Sequence, residues 1–248
     1  YMNRRSVLFL LSLITFGGLW FLAAYVINDR YLPSPSDVII GFTKEYQSGA
    51  LLHHIGMTMM RVSASFLIAL TIGSAIGFAL GRSVIADQFF DLWLIIALNV
   101  PALVTIVFCY LLFGLTESAA IIAVALNKMP TTAVTLREGT RALDSSLEDV
   151  AKIYGINGFK KFKLFFWPQL SPYFAASVRN GLALIWKIVL IVELIGRSDG
   201  VGFQIHLNFS QFNLAGILVY ALSFMMIMAV IDLFVIRPFF VSWARRCV

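Results

Sequence analysis

The 248-residue chain is 60% hydrophobic and only 13% charged, against about 45–50% and about 25% for an ordinary soluble domain. So much apolar side chain exceeds what one water-soluble globule can enclose, and the surplus must face lipid. The net charge of +6 does not point to nucleic acid, because the charges lie in the gaps between apolar runs, the pattern that orients a membrane protein. Cys109 and Cys247 have no His or Cys cluster beside them, which excludes a disulfide framework and a zinc site.

A bilayer core of about 30 Å takes about 20 apolar residues in a helix, and six stretches qualify. The first, Val7 to Ile27, follows Arg4 and Arg5 and is too long for a removed signal peptide, so it is expected to stay as an anchor. Between it and the second stretch, Leu32-Pro-Ser-Pro-Ser-Asp-Val38 stops one helix, with Ser36 or Asp37 able to cap the next. That next helix is expected to lie on the outer surface as far as His54. Adjacent His53 and His54 would point in different directions on it and make no metal site.

The second stretch, Val62 to Gly81, carries Gly73, Gly77 and Gly81 at four-residue spacing, a face another helix can approach closely, within the bundle or across an oligomer contact. The third runs from Phe89 to Phe113 and the fourth from Ser118 to Val134. Pro101 and Pro130 each remove a backbone donor from them and predict bends. The fifth covers Tyr173 to Ile195 and the sixth Leu214 to Ile236, with His206 in the loop between them.

Orientation follows from Lys and Arg in the short loops. With the N-terminus cytoplasmic, the inner segments hold Arg4, Arg5, Arg82, Arg137, Arg141, Lys152, Lys160, Lys161, Lys163, Arg237, Arg245 and Arg246, against Arg30, Lys44, Arg61 and Arg197 outside. Both termini are therefore expected in the cytoplasm.

The inner loop from about Leu143 to Pro168 is too long and too patterned for a linker. Ser145 with Glu148 three residues on reads as a capping box, and Gly155 suits the left-handed residue that ends a helix. Beyond it Asn157 or Gly158 opens a second helix, with Phe159, Phe162, Phe165 and Phe166 on one face and Lys160, Lys161 and Lys163 off it. The loop either docks a partner or lies on the membrane surface.

Four ionisable residues fall at membrane depth: Lys128 on the fourth stretch and Arg179, Lys187 and Glu193 on the fifth. Burying a charge at the bilayer centre costs about 2.5–3.5 kcal/mol on the insertion scale, so each should face protein or water. At about 100° per residue the three on the fifth stretch share one side of the helix. They read either as a positive pathway for an anion, tuned by Glu193, or as structural ion pairing with Glu117 or Asp232.

At the inner loop the sequence resembles the permease family of ATP-binding-cassette importers, whose signature is matched by Glu148, Ala151, Gly155 and Pro168. Val150 and Trp167 depart from it, standing for a small residue and for leucine. The resemblance extends to Leu32–Val38, to Phe113-Gly114 with Glu117, and to Gly200-Val-Gly202-Phe203, and it is closest to the nitrate, sulfonate, taurine and bicarbonate branch, though only Pro101 stands where that branch often has several prolines. It implies a single transmembrane permease domain over residues 1–248, an all-α type I importer fold of six spans with a cytoplasmic coupling helix, in the bacterial inner membrane. It also implies two cytoplasmic ATPase subunits that bind ATP and magnesium, a second permease copy, an external substrate-binding protein, periplasmic or lipid-anchored, and surrounding lipid, with no cofactor and no catalysis in this chain. Glu148, Asp149, Ala151, Gly155 and Pro168 are then the residues that couple to the ATPase: Ala151 admits close approach and Glu148 offers a charged hydrogen bond. The rival reading is a secondary transporter or channel that needs no ATPase, although neither internal repeats nor a paired broken helix supports it.

Overall fold

The computed structural model describes residues 4–27 and 32–236, and its described residues are helical apart from short connections. Arg30, Arg237, Arg245, Arg246 and Cys247 lie outside the described residues, as do the side chains of Arg4 and Arg5.

Helix α1 covers Arg4–Ile27 and α2 covers Pro35–Gln47. The cap of α2 is Ser34, not Ser36 or Asp37: its hydroxyl accepts from the Asp37 N–H, and the Asp37 carboxylate accepts in return from the Ser34 N–H at 3.0 Å. Pro35 decides this, since its missing donor and fixed φ suit the first helical position. Helix α2 also stops earlier than expected. Residues from Ala50 onward, His54 included, belong to α3 (Ala50–Arg82), which starts after Gly49 at φ 78°.

The third expected span is broken. Helix α4 (Val84–Asn99) and α5 (Ala102–Phe113) meet at 96° across Val100-Pro101. Proline pushes the residue before it out of the helical region, and Val100 is extended at φ −69°, ψ 122°. Helix α6 (Glu117–Arg141) instead carries Pro130 within an unbroken run, capped by the Thr116 hydroxyl. After it come α7 (Ser145–Ile153), α8 (Gly158–Lys161), a π turn over Phe162–Phe166, and α9 (Trp167–Gly196). Residues expected as an outer loop form α10 (Val201–Ser210), and α11 (Leu214–Ile231) runs into a π turn at Asp232–Ile236.

Helices α3, α6 and α9 form the centre, where Val62, Ile106, Ala120, Ala123, Val124, Ile185, Val189 and Val192 pack together. The glycine face of α3 packs within the chain, on α6. A β-carbon on Gly73 would stand 2.8 Å from the Met129 carbonyl oxygen, and one on Gly81 2.8 Å from that of Arg137, so only a missing side chain allows this approach. A second cluster, with Val38, Leu51, Ile55, Val201, Val219, Tyr220 and Phe224, joins α2, α3, α10 and α11.

Three helices, Ala50–Arg82, Glu117–Arg141 and Leu214–Phe234, are long and apolar enough to cross a membrane, and up to four crossings result if the bent α4–α5 pair counts as one. That is fewer than the six expected on the same grounds. The first expected crossing falls on α1, whose shorter apolar part is Ile14–Ile27, and the fifth on the 30-residue α9, which bears three ionisable residues. Large apolar side chains such as Leu19, Phe21, Phe89, Trp93, Leu111 and Met226 are exposed along these helices, a surface that suits lipid and not water.

Candidate functional site

The loop between α6 and α9 is built from caps and charge pairs. Its first helix is capped by Asp144 and not by Ser145. The Asp144 carboxylate accepts from the N–H and the hydroxyl of Ser146 at 2.8 and 2.6 Å, and these bonds hold it below its ordinary range. The Asp144 N–H in turn donates to the Gln169 side chain at 2.9 Å, tying the start of α7 to α9.

Glu148 therefore closes no capping box and is used elsewhere. It accepts from both terminal nitrogens of Arg82 at 2.8 and 3.0 Å and from Lys161 at 2.7 Å. The two cations pull its carboxyl down to about 2. A depressed acid keeps its contribution above its ordinary value of 4.5 and loses it as the pH falls toward 2, so this clamp persists across the physiological range. Arg82 and Lys161 also lie 5.0 and 5.3 Å from the ring centre of Phe166, within cation–π range. One carboxylate and one ring thus join the end of α3, the middle of α7 and the entry to α9.

Helix α7 ends as its glycine predicts. The Ile156 N–H reaches the Ala151 carbonyl at 2.8 Å and the Gly155 N–H that of Lys152 at 3.0 Å, with Gly155 at φ 64°, the paired bonds of a Schellman end. The second helix departs from expectation. Gly158–Lys161 leads through the π turn into α9, because Pro168 has no N–H to continue the regular ladder. The π turn adds a residue and rotates the face: Phe159 is exposed, Phe166 is buried, and Lys161, expected off the apolar face, lies on it. Farther on, Pro172 frees the Pro168 carbonyl, which accepts from the Ser171 hydroxyl at 2.8 Å.

The predicted residues of the loop therefore divide. Asp149 is exposed and pairs with Lys152 at 2.9 Å. Ala151, expected to admit a partner, is fully buried within this chain, on a helix that packs against the π turn. The exposed apolar groups of the loop are Leu147, Val150, Ile153, Tyr154, Phe159 and Leu164, and Ile153 (81% exposed) and Tyr154 (76%) stand clear of the protein. Sequence reading missed this face, although Leu147, Val150 and Tyr154 are spaced as one stripe of a helix.

The membrane-depth charges do not form one side. Glu193 is fully buried, accepting from Arg61 at 2.7 Å, from the Thr58 hydroxyl at 2.9 Å and from the Gly202 N–H at 2.8 Å. Arg61, 1% exposed and earlier assigned to an outer loop, also bonds to Glu117 at 2.6 and 2.9 Å and to the Asp199 carboxylate, while Arg197 reaches Glu117 at 2.8 Å. Glu193 is thus in a structural ion-pair cluster, as the second reading expects, with Arg61 as its counter-charge and Glu117 on the same guanidinium. Arg179 and Lys187 are exposed on α9, with Lys187 5.5 Å from the ring centre of Trp186. A helical wheel fails here because the surroundings of a 30-residue helix change along it: Glu193 is bonded by Thr58 of α3 and Gly202 of α10, whereas Arg179 is exposed. Lys128 is buried on α6.

Residues 69–243 match the family described as binding-protein-dependent transport system inner membrane component. The permease protein SsuC of Bacillus subtilis (strain 168), whose name assigns it to aliphatic sulfonate transport, is 29% identical over 79% of this chain and 72% of its own. SsuC of Escherichia coli (strain K12), named likewise, is 30% identical over 75% of this chain and 72% of its own. The taurine transport system permease protein TauC of the same strain is 21% identical over 82% and 77%. With a family match over well more than half its length, the chain belongs to the inner-membrane permeases of ATP-binding-cassette importers, in their nitrate, sulfonate and taurine branch.

Proposed function

We propose that this permease carries a small anionic solute across the bacterial inner membrane by alternating access, with the α6–α9 loop gripped by a cytoplasmic ATPase. Two ATPase subunits hold ATP and magnesium, a second permease copy completes the pathway, and an external binding protein delivers the solute. Both termini face the cytoplasm. The observation that carries this reading is the Glu148 clamp. A force applied to α7 passes through Arg82 into α3 and through Lys161 into α9, two of the three central helices, so moving the loop moves the pathway walls. The partner meets Leu147, Val150, Ile153 and Tyr154, while Gly155 and Pro168 set the angle at which the loop leaves the bundle. The names of the relatives, which refer to sulfonates, taurine and nitrate, support an anion.

The test joins orientation to partnership. In sealed cells a cysteine placed at Gln47 should react with a membrane-impermeant reagent, and one at Asn157 should react only after the membrane is opened. Purification of the labelled chain in mild detergent should bring an ATPase with it. Labelling of Asn157 from outside contradicts the orientation. A chain that transports solute with no ATPase attached supports the secondary-transporter reading.

A further inference from the structure

Four residues with charged side chains are buried among the described ones: Arg61, Asp87, Lys128 and Glu193. Arg61 and Glu193 bond to each other, and Asp87 is held by Arg137 and Arg141. Lys128 alone of the four forms no ion pair among the described residues, and its ammonium makes no hydrogen bond there. It stands near the middle of α6, eleven residues from Glu117 and thirteen from Arg141, so at mid-bilayer depth if α6 spans. A cation kept there without a counter-charge is costly, and the chain keeps one.

Its surroundings are shaped for it. The end of the Lys128 side chain lies against Gly181 of α9, where a β-carbon would stand 3.2 Å from Cε. One turn away on the same face of α9, Ser177 is buried with a hydroxyl that has no partner among the described residues. Close to these residues in the sequence, Thr131 and Asn180 are exposed and Asn127 is half-buried.

We propose that Lys128 is the residue on which the passing solute rests its charge, receiving a small oxyanion of the sulfonate or nitrate kind when α6 and α9 part, with the Ser177 hydroxyl as a second donor. Lys128 supplies the positive charge and Gly181 the room for it. Glu193, locked by Arg61, takes no part, and Lys187 acts only in drawing anions toward the seam. The inference rests on the anion-carrying reading above.

The permease complex, purified without its binding protein, is heated in ethanesulfonate, in nitrate and in chloride at equal ionic strength. The native complex should be stabilised by one or both oxyanions beyond chloride, and the two arms report which head group fits. The Lys128→Met substitution removes an unpaired buried charge at similar volume and so should fold at least as well. It should lose the oxyanion stabilisation and slow transport in reconstituted vesicles by about ten- to a hundredfold, the factor that a charge-assisted hydrogen bond carries, with basal ATP hydrolysis unchanged. Lys128→Arg should retain both in large part. Absence of oxyanion stabilisation in the native complex, wild-type transport by Lys128→Met, or loss of assembly in both variants would overturn the assignment. The heating experiment needs no ATPase, so failure of the coupling account leaves its outcome readable.

Discussion

The Arg61→Met substitution is expected to cost the folded permease about 3–5 kcal/mol, the range for breaking a buried ion pair by removing one partner. Arg61 is 1% exposed and bonds to Glu117, Glu193 and Asp199, and without it the fully buried Glu193 keeps only the Thr58 hydroxyl and the Gly202 N–H. The expected result is a lower midpoint of thermal unfolding and a lower yield of monodisperse protein in detergent. A second variant separates a stranded charge from lost packing. Arg61→Met combined with Glu193→Gln removes both charges of the pair, and it should recover a measurable part of the loss. If the double variant is no more stable than Arg61→Met, the cost lies in packing and the ionic account of this cluster fails.

Charge reversal at the loop is the second large effect. Glu148→Arg places a third cation beside Arg82 and Lys161, so α7 should detach from the ends of α3 and α9. Transport should fall to background while the chain still inserts. Arg82→Glu alone should do the same, by setting two acids against each other. The double exchange, Arg82→Glu with Glu148→Arg, restores the pair with its polarity reversed, and it should regain a substantial fraction of transport in vesicles. If all three variants transport normally, force does not pass through this contact. If the exchange fails while each single variant stays well folded, Glu148 acts on the partner and not on Arg82.

How much of this was legible beforehand depended on whether a feature is local. Gly155 could be placed at a helix end because the left-handed conformation it takes is a property of a few consecutive residues. The close-packed face of Gly73, Gly77 and Gly81 was readable from spacing, though its partner α6 was not. What Pro101 did could not be distinguished from what Pro130 did: both deny a backbone donor, but α6 is packed between α3 and α9 and stays straight enough to remain one helix, whereas α4 and α5 part at 96°. Arg61 was read as a loop cation because a charge among apolar residues suggests the end of a span. Its three acids come from positions 117, 193 and 199, and nothing in the local sequence announces them. Ala151 was assigned to the partner for its smallness, a quality that serves burial inside the chain equally well. The same ambiguity made Glu148 look like a cap, when Asp144, one residue before the expected Ser145, was the better acceptor.

The central claim is that α7 is the surface on which the ATPase drives the permease, and proximity measures that most directly. A cysteine at Ile153, the most exposed large apolar residue of α7, is treated with a short bifunctional thiol reagent in the purified complex during ATP hydrolysis. It should cross-link to the cytoplasmic ATPase, and the yield should change when hydrolysis is arrested, because the loop is then held in one state of the cycle. A cysteine at Gln47, expected on the opposite side of the membrane, should give no such product. A complex that hydrolyses ATP and transports solute while Ile153 stays unlinked in every nucleotide state would contradict the account.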